Sequence, residues 1–141
     1  MADRQHPAGA AARTAVVTLP GSVDFCSARR LGGELGCVLA SGVTTVIADM
    51  TATTFCDSSG ARILVAACEQ AAANNIEMRL VVPSTFVLRA LALMGLDRLL
   101  PVYLTLDGAL AHGGHHRGQR ITLAGTLPKL AIGPARFYQS S

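Results

Sequence analysis

Short runs of β-branched and apolar residues alternate with segments whose apolar residues recur at helical spacing, and this alternation restricts the chain to folds built from strand–helix–strand units. The run 43–49 is apolar on both faces, which is typical of a strand in a sheet covered on both sides. Leu31, Leu35 and Leu39 share one face of a helix. We therefore predict an α/β fold, a single domain with a central, mostly parallel β-sheet and alternating helices packed on it. The predicted strands are 15–19, 43–49, 78–82 and 102–106, and the predicted helices contain 31–39, 63–71, 87–94 and 107–111.

The two ends of the chain differ in composition from its centre. Residues 1–12 are rich in Ala and Gly and show no periodicity, which predicts a flexible N-terminus ahead of a domain at 13–111. Residues 112–141 contain four basic residues and no acidic one, whereas the rest of the chain has eight basic against nine acidic residues. We expect a basic, flexible C-terminal tail. The nearly neutral domain argues against direct nucleic-acid binding.

No segment has the length and composition of a membrane span or a secretion signal. The longest stretch without a charged residue is 35–48, 14 residues, and a spanning helix needs about 20. No apolar run follows the early charges, as a signal peptide requires. We therefore expect a cytoplasmic protein without membrane association.

Four cysteines are present, and none of them forms a C-x-x-C pair. This spacing argues against a zinc knuckle or a thioredoxin-type motif, so we expect reduced, mostly buried thiols and no metal site. Cys56 is a possible redox residue because it precedes a predicted helix, where a thiol pKa can be lowered. The neighbouring Asp57 opposes that effect, and a buried, inert thiol is the alternative interpretation.

The common fingerprints of enzymes and nucleotide-binding proteins are absent. The sequence contains no G-x-G-x-x-G, G-x-x-x-x-G-K-[ST], H-E-x-x-H or G-x-S-x-G motif. All four histidines lie outside the predicted domain, which leaves its serines without an imidazole base. We predict no enzyme activity, no catalytic residue and no cofactor.

The segment 57–60, with the sequence DSSG, lies where a predicted strand gives way to a helix. Asp57 suits the N-cap position, because its carboxylate can accept hydrogen bonds from amides of the first turn. Ser58 then becomes the first helical residue, with its hydroxyl open to a partner. A phosphate on Ser58 would bring about two negative charges to the helix start, where free amides can bind it. A plain helix cap is the alternative interpretation.

Several short motifs resemble those of STAS domains, specifically of bacterial anti-sigma factor antagonists. The main one runs from VIADM at 46–50 to FCDSSG at 55–60, and the resemblance covers residues 13–111. A strand that usually precedes the one at Ala15 has no counterpart in residues 1–12. The further matching pieces are LPGSVD at 19–24, VLRAL at 87–91, GL at 95–96 and AL at 109–110.

The resemblance implies a partner-switching mechanism. The unmodified antagonist binds an anti-sigma factor, which is also a serine kinase, and thereby releases the sigma factor. The kinase then phosphorylates the serine after the motif aspartate, here Ser58, and the complex dissociates until a phosphatase removes the phosphate. The resemblance also implies a partner-binding surface that contains Asp57, Ser59, Gly60, Thr53, Thr54, Phe55, Gly21, Ser22 and Asp24.

Arg62 departs from the pattern of many relatives and adds a cation one turn into the helix. It could pair with a phosphate or with an acidic partner surface, and a solvated charge is the other interpretation.

Two other functions stay open. The chain could be the STAS interaction module of another assembly, such as a transport-associated complex, or a sensor of nucleotides or other small ligands, in either case without Ser58 phosphorylation.

Overall fold

The computed structural model describes residues 12–111 and 136–140, with side chains for 13–111. These residues form a mixed α/β domain in which strands and helices alternate, as predicted. The strands are β1 Ala12–Thr18, β2 Ser22–Val23, β3 Thr45–Asp49, β4 Phe55–Cys56, β5 Glu77–Val81, β6 Val102–Tyr103 and β7 Arg136–Ser140. The helices are α1 Phe25–Leu39, α2 Ser58–Ala73, α3 Thr85–Leu93, α4 Leu96–Leu99 and α5 Leu106–Ala111.

The main sheet has the strand order β6-β5-β3-β1-β7. Its β1, β3, β5 and β6 are parallel, with Val16 opposite Ile47 and Ile47 opposite Arg79. Parallel neighbours need crossover connections, and helices supply them here. The mostly parallel sheet predicted from the alternating pattern is therefore confirmed.

The strand β7 is a difference from the sequence-based expectation. Residues 136–140 fall in the segment expected to be a flexible tail, but they pair antiparallel with β1, with Phe137 opposite Ala15. The outer backbone groups of β1 need hydrogen-bond partners, and β7 supplies them. Its Phe137 and Tyr138 are residue types that favour strands, although five residues give no clear alternation. Ala12, expected in the flexible N-terminus at 1–12, is the first residue of β1. Residues 1–11 and the other residues of the predicted tail lie outside the described residues.

Within the described part of the chain, helices cover both faces of the sheet, four of them on one face and one on the other. On one face, Ala15, Val17 and Ala48 belong to a large apolar core that α1 to α4 complete. On the other face, Val16, Ile47 and Val81 pack with the short helix α5. The central strands are buried on both sides, which explains why the run around β3 is apolar throughout.

A partly buried ion pair lies beneath α5. Arg79 is 5% exposed, and its Nε lies 3.1 Å from Oε2 of Glu77. Its Nη1 donates a hydrogen bond of 2.6 Å to the carbonyl oxygen of Ala109 in α5. This charged contact holds the last helix against β5, and no sequence motif marks it.

The last predicted strand and helix have different bounds from those expected. The strand β6 ends at Tyr103, and α5 begins at Leu106. The hydroxyl of Thr105 accepts a hydrogen bond from the amide of Gly108, so Thr105 caps the start of α5. Ser84 caps α3, and Gly95 follows that helix with a φ of 80°. No helix in the described ranges is long and apolar enough to cross a membrane.

Candidate functional site

A small parallel pair of strands, β2 and β4, brings two helix N-termini together. Ser22 lies opposite Phe55, and Val23 opposite Cys56. Asp24 follows β2 and begins α1, while Asp57 follows β4 and begins α2. Since short loops connect β2 to β1 and β4 to β3, both helices start at the carboxyl ends of central strands. Ligand and partner sites of parallel α/β folds commonly occupy this edge.

Asp57 caps α2 as predicted. Its Oδ1 accepts the amide of Ser59 at 2.9 Å and the amide of Gly60 at 3.0 Å. The adjacent Ser58 is the first residue of α2 and is exposed. Its hydroxyl has no hydrogen-bond partner within the described residues. The serine therefore stands on a fixed helix start with its hydroxyl free.

Asp24 caps α1 in the same way, and it carries additional hydrogen bonds. Its Oδ1 accepts the amides of Cys26 and Ser27 at 3.0 and 3.1 Å, and the Ser27 hydroxyl accepts the Asp24 amide. The hydroxyl of Ser22 donates to Asp24 Oδ2 at 3.0 Å. Hydrogen bonds from Ser22 and then Ser27 lower the pKa of the Asp24 carboxyl, although burial opposes them. The residue expected at a partner surface therefore also organises the start of α1.

Gly60 is buried, and its missing side chain accommodates the chain's own backbone. A β-carbon at this position would lie 2.2 Å from the carbonyl oxygen of Val23 and 2.6 Å from its Cγ1. Gly60 was expected on the partner-binding surface, but the structure buries it. The backbone that approaches Gly60 closely belongs to β2 of the same chain.

The residues just before the segment 57–60 have two different roles, one inside the domain and one on its surface. Thr53 is 1% exposed, and its hydroxyl donates to the carbonyl oxygen of Pro20 at 2.7 Å. The amides of Thr54 and Phe55 donate to the carbonyl oxygen of Gly21 at 2.8 and 3.2 Å. Thr53 therefore joins the two loops from within, contrary to its expected place on the surface. Thr54 and Phe55 are exposed.

Two aromatic residues that were not predicted to be part of the site are exposed at this edge. Phe25 is the first residue of α1 and is 79% exposed, and Phe86 is the second residue of α3 and is 62% exposed. Phe55 on β4 is 44% exposed, and α3 contacts β4. Large apolar side chains left in water often mark a contact surface. The sequence marks these two residues only by their position, because each lies in the first turn of a helix.

The structure places Cys56 inside the domain. Burial raises the pKa of the Cys56 thiol to about 11, and the charge of Asp57 adds to this shift. The thiolate required for redox chemistry is therefore disfavoured. All four thiols are free, but Cys26 and Cys37 are exposed, so the expectation of mostly buried thiols does not hold for these two.

Arg62 is exposed on α2, one turn after Ser58. Among the residues described, its guanidinium makes no hydrogen bond and no ion pair. Residues four apart on a helix are neighbours on its surface, so Arg62 and Ser58 share one face.

No group of His, Cys, Asp or Glu in the described ranges is arranged to hold a metal ion.

Comparison with known proteins gives consistent matches. The STAS domain matches residues 6–109. Anti-sigma-F factor antagonist RsfB of Mycobacterium tuberculosis is 31% identical over 96 residues, which are 68% of this chain and 78% of that protein. A crystal structure of an anti-sigma factor antagonist from Mycobacterium paratuberculosis is 33% identical with a TM-score of 0.58, covering 69% of this chain and 82% of that chain. The structure of SpoIIAA of Bacillus in its phosphorylated form is 23% identical with a TM-score of 0.55, and the match covers 69% of this chain and 87% of that chain. At this identity the likeness shows the fold alone.

Proposed function

Because this chain belongs to the STAS domain family, as its motifs predicted, we propose that it is an anti-sigma factor antagonist. In this proposal, the unmodified protein binds an anti-sigma factor that is also a serine kinase, and a sigma factor is released. Two relatives at or above 31% identity carry the name of anti-sigma factor antagonists, which supports the general role.

The observation that carries the proposal is the placement of Ser58. Its hydroxyl is exposed and has no hydrogen-bond partner within the described residues, while the backbone around it is fixed by Asp57 and by the packing of Gly60 on Val23. A kinase needs an accessible hydroxyl, and a binding partner needs a rigid surface. One serine at a fixed helix start meets both requirements.

Phosphorylation of Ser58 ends the interaction in this proposal. A phosphate adds about two negative charges beside the carboxylate of Asp57 and near the exposed ring of Phe55. Burying this added negative charge against a partner surface that supplies no further cation is strongly unfavourable. The complex therefore dissociates, and a phosphatase restores the binding form.

The partner surface in this proposal consists of exposed and half-buried residues around Ser58. Asp57 and Ser59 flank the phosphoacceptor, and Thr54 and Phe55 extend the surface along β4. Ser22 and Asp24 continue it onto the start of α1, where Phe25 adds an apolar contact. Gly21 and Thr53 act behind this surface, because their backbone and side-chain groups hold the two loops together.

In this proposal the chain is a cytoplasmic binding protein rather than an enzyme. Ser58 accepts a phosphoryl group from a kinase that brings its own ATP, so the chain needs no general base and no cofactor. Residues 12–111 contain no histidine, which agrees with a serine that is a substrate instead of a nucleophile.

The test is affinity purification from the native cell with wild-type, Ser58→Ala and Ser58→Glu baits, followed by mass spectrometry of partners and modification sites. Ser41→Glu is the matched control, because Ser41 is an exposed serine just after α1. We expect an anti-sigma kinase with wild type, Ser58→Ala and Ser41→Glu, its loss with Ser58→Glu, and phosphate on Ser58. If all four baits recover the same partners and Ser58 is never modified, the motif is only a helix cap.

A further inference from the structure

The amides of Ser59, Gly60 and Ala61 at the start of α2 already have acceptors. A phosphate at a helix N-terminus is usually bound by the free amides of the first turn. Here Asp57 Oδ1 accepts the amides of Ser59 and Gly60, and the amide of Ala61 donates to the carbonyl oxygen of Asp57 at 3.0 Å. A phosphate on Ser58 therefore does not find these donors free, in contrast to the sequence-based expectation.

The local charge favours a cation close to the phosphate. Asp57 places a carboxylate directly beside Ser58, and a phosphate at neutral pH brings about two further negative charges. The positive end of the helix dipole corresponds to only about half a charge and already faces Asp57. Unless a basic side chain approaches, the modified helix start carries a large excess of negative charge.

Arg62 is positioned to supply that cation. It lies four residues after Ser58 on the same face of α2, and both side chains are exposed. Its neighbours at the other adjacent helical spacings are Ser59, Val65 and Ala66, so no carboxylate of α2 lies one turn away from it. Arginine binds phosphate oxygens in bidentate fashion, which suits this pairing.

We propose that Arg62 binds the phosphate of phosphorylated Ser58 within the same chain and thereby takes the place of the amides that Asp57 occupies. This inference rests on the proposed function, since it concerns the phosphorylated form. The pairing keeps the dianion stable beside Asp57, and it withdraws Arg62 from any acidic partner group at the moment when the partner must leave.

The test installs phosphoserine at position 58 during translation, so that no kinase is required. The second ionisation of the phosphate is followed by phosphorus NMR in otherwise wild-type protein and in Arg62→Gln and Arg89→Gln proteins. Arg89 is the matched control, because it is also exposed and is the fifth residue of α3, as Arg62 is of α2. Arg62→Lys tests whether charge alone restores the effect.

We expect Arg62→Gln to raise the phosphate pKa by about 0.5 and Arg89→Gln to leave it unchanged, with an intermediate value for Arg62→Lys. Molar salt should reduce the difference. An unchanged pKa in Arg62→Gln, or equal shifts in both glutamine variants, would overturn the pairing. The result is independent of whether a cellular kinase modifies Ser58, so failure of the proposed function and failure of this inference are distinguishable.

Discussion

Gly60 and the backbone of Val23 are in such close contact that a β-carbon on Gly60 would lie 2.2 Å from the Val23 carbonyl oxygen. The contact joins the first turn of α2 to β2, and β2 leads directly into α1. It therefore sets the position of Ser58 relative to Phe25 across the two helix starts. Because Gly60 has no side chain, the two helix starts that form the proposed partner surface can lie this close together.

We predict that Gly60→Ala destabilises the domain by about 3 kcal/mol or more, because the methyl group would overlap main-chain atoms that have no room to move. Urea unfolding measures the change. Gly33→Ala is the matched control, since Gly33 is an exposed helical glycine and, apart from its chain neighbours and its own helix backbone, no heavy atom lies within 4 Å of the added carbon. That variant should gain about 0.5 to 1 kcal/mol. Equal effects of the two substitutions would contradict the contact with Val23.

The cap at Asp57 should depend on hydrogen bonding more than on charge. Asp57→Ala removes the acceptor for the amides of Ser59 and Gly60 and should cost about 1 kcal/mol of unfolding free energy. Asp57→Asn keeps an acceptor oxygen and should retain most of that stability. Urea unfolding of both variants is the measurement, and an asparagine variant as unstable as the alanine variant would show that charge dominates.

The buried thiol of Cys56 should make the domain sensitive to alkali. Its pKa is raised from the ordinary 9.0 to about 11 in the folded protein. Below about pH 9 the thiol is protonated in both states; between about pH 9 and 11 only the unfolded chain loses the proton, so the unfolding free energy falls as pH rises. Urea unfolding at neutral pH and at about pH 10 should show a smaller fall in Cys56→Ala than in wild type. Identical pH dependence in the two proteins would remove Cys56 as a cause.

The ion pair beneath α5 should hold that helix in place. Arg79→Met removes the donor to the Ala109 carbonyl oxygen and the partner of Glu77, and should cost about 2 kcal/mol. Hydrogen exchange should accelerate in α5 more than in the helices on the other face. Arg98→Met at an exposed position on α4 should change stability by less than about 0.5 kcal/mol. Unchanged exchange in α5 of Arg79→Met would show that apolar packing alone holds the helix.

The fold was largely predictable because its main elements have strong local periodicity. The stripe of Leu31, Leu35 and Leu39 is buried as expected, and the runs around β3 and β5 are interior strands. The elements that escaped prediction are short. Both β2 and β4 have two residues, and α4 has four, which is too few for a period to repeat. β7 has five residues and pairs with the first strand of the domain, a contact between distant parts of the chain.

The candidate site was predictable only in part, for the same physical reason. The cap by Asp57 and the exposed first helical position of Ser58 follow from residue types at a strand-to-helix junction. The exposure of Phe25 and Phe86, in contrast, depends on which elements pack around them. Apolar residues are expected inside, so composition alone argued for the opposite.

The sequence by itself determined the alternation of strands and helices, the covered parallel sheet and the junction at Asp57 and Ser58, because each is encoded in residues close together along the chain. Tertiary structure decided that Thr53 lies inside, that Gly60 faces Val23 and that β7 completes the sheet edge. Those outcomes depend on contacts between segments far apart in sequence, and burial and hydrogen bonding are fixed only when such segments meet.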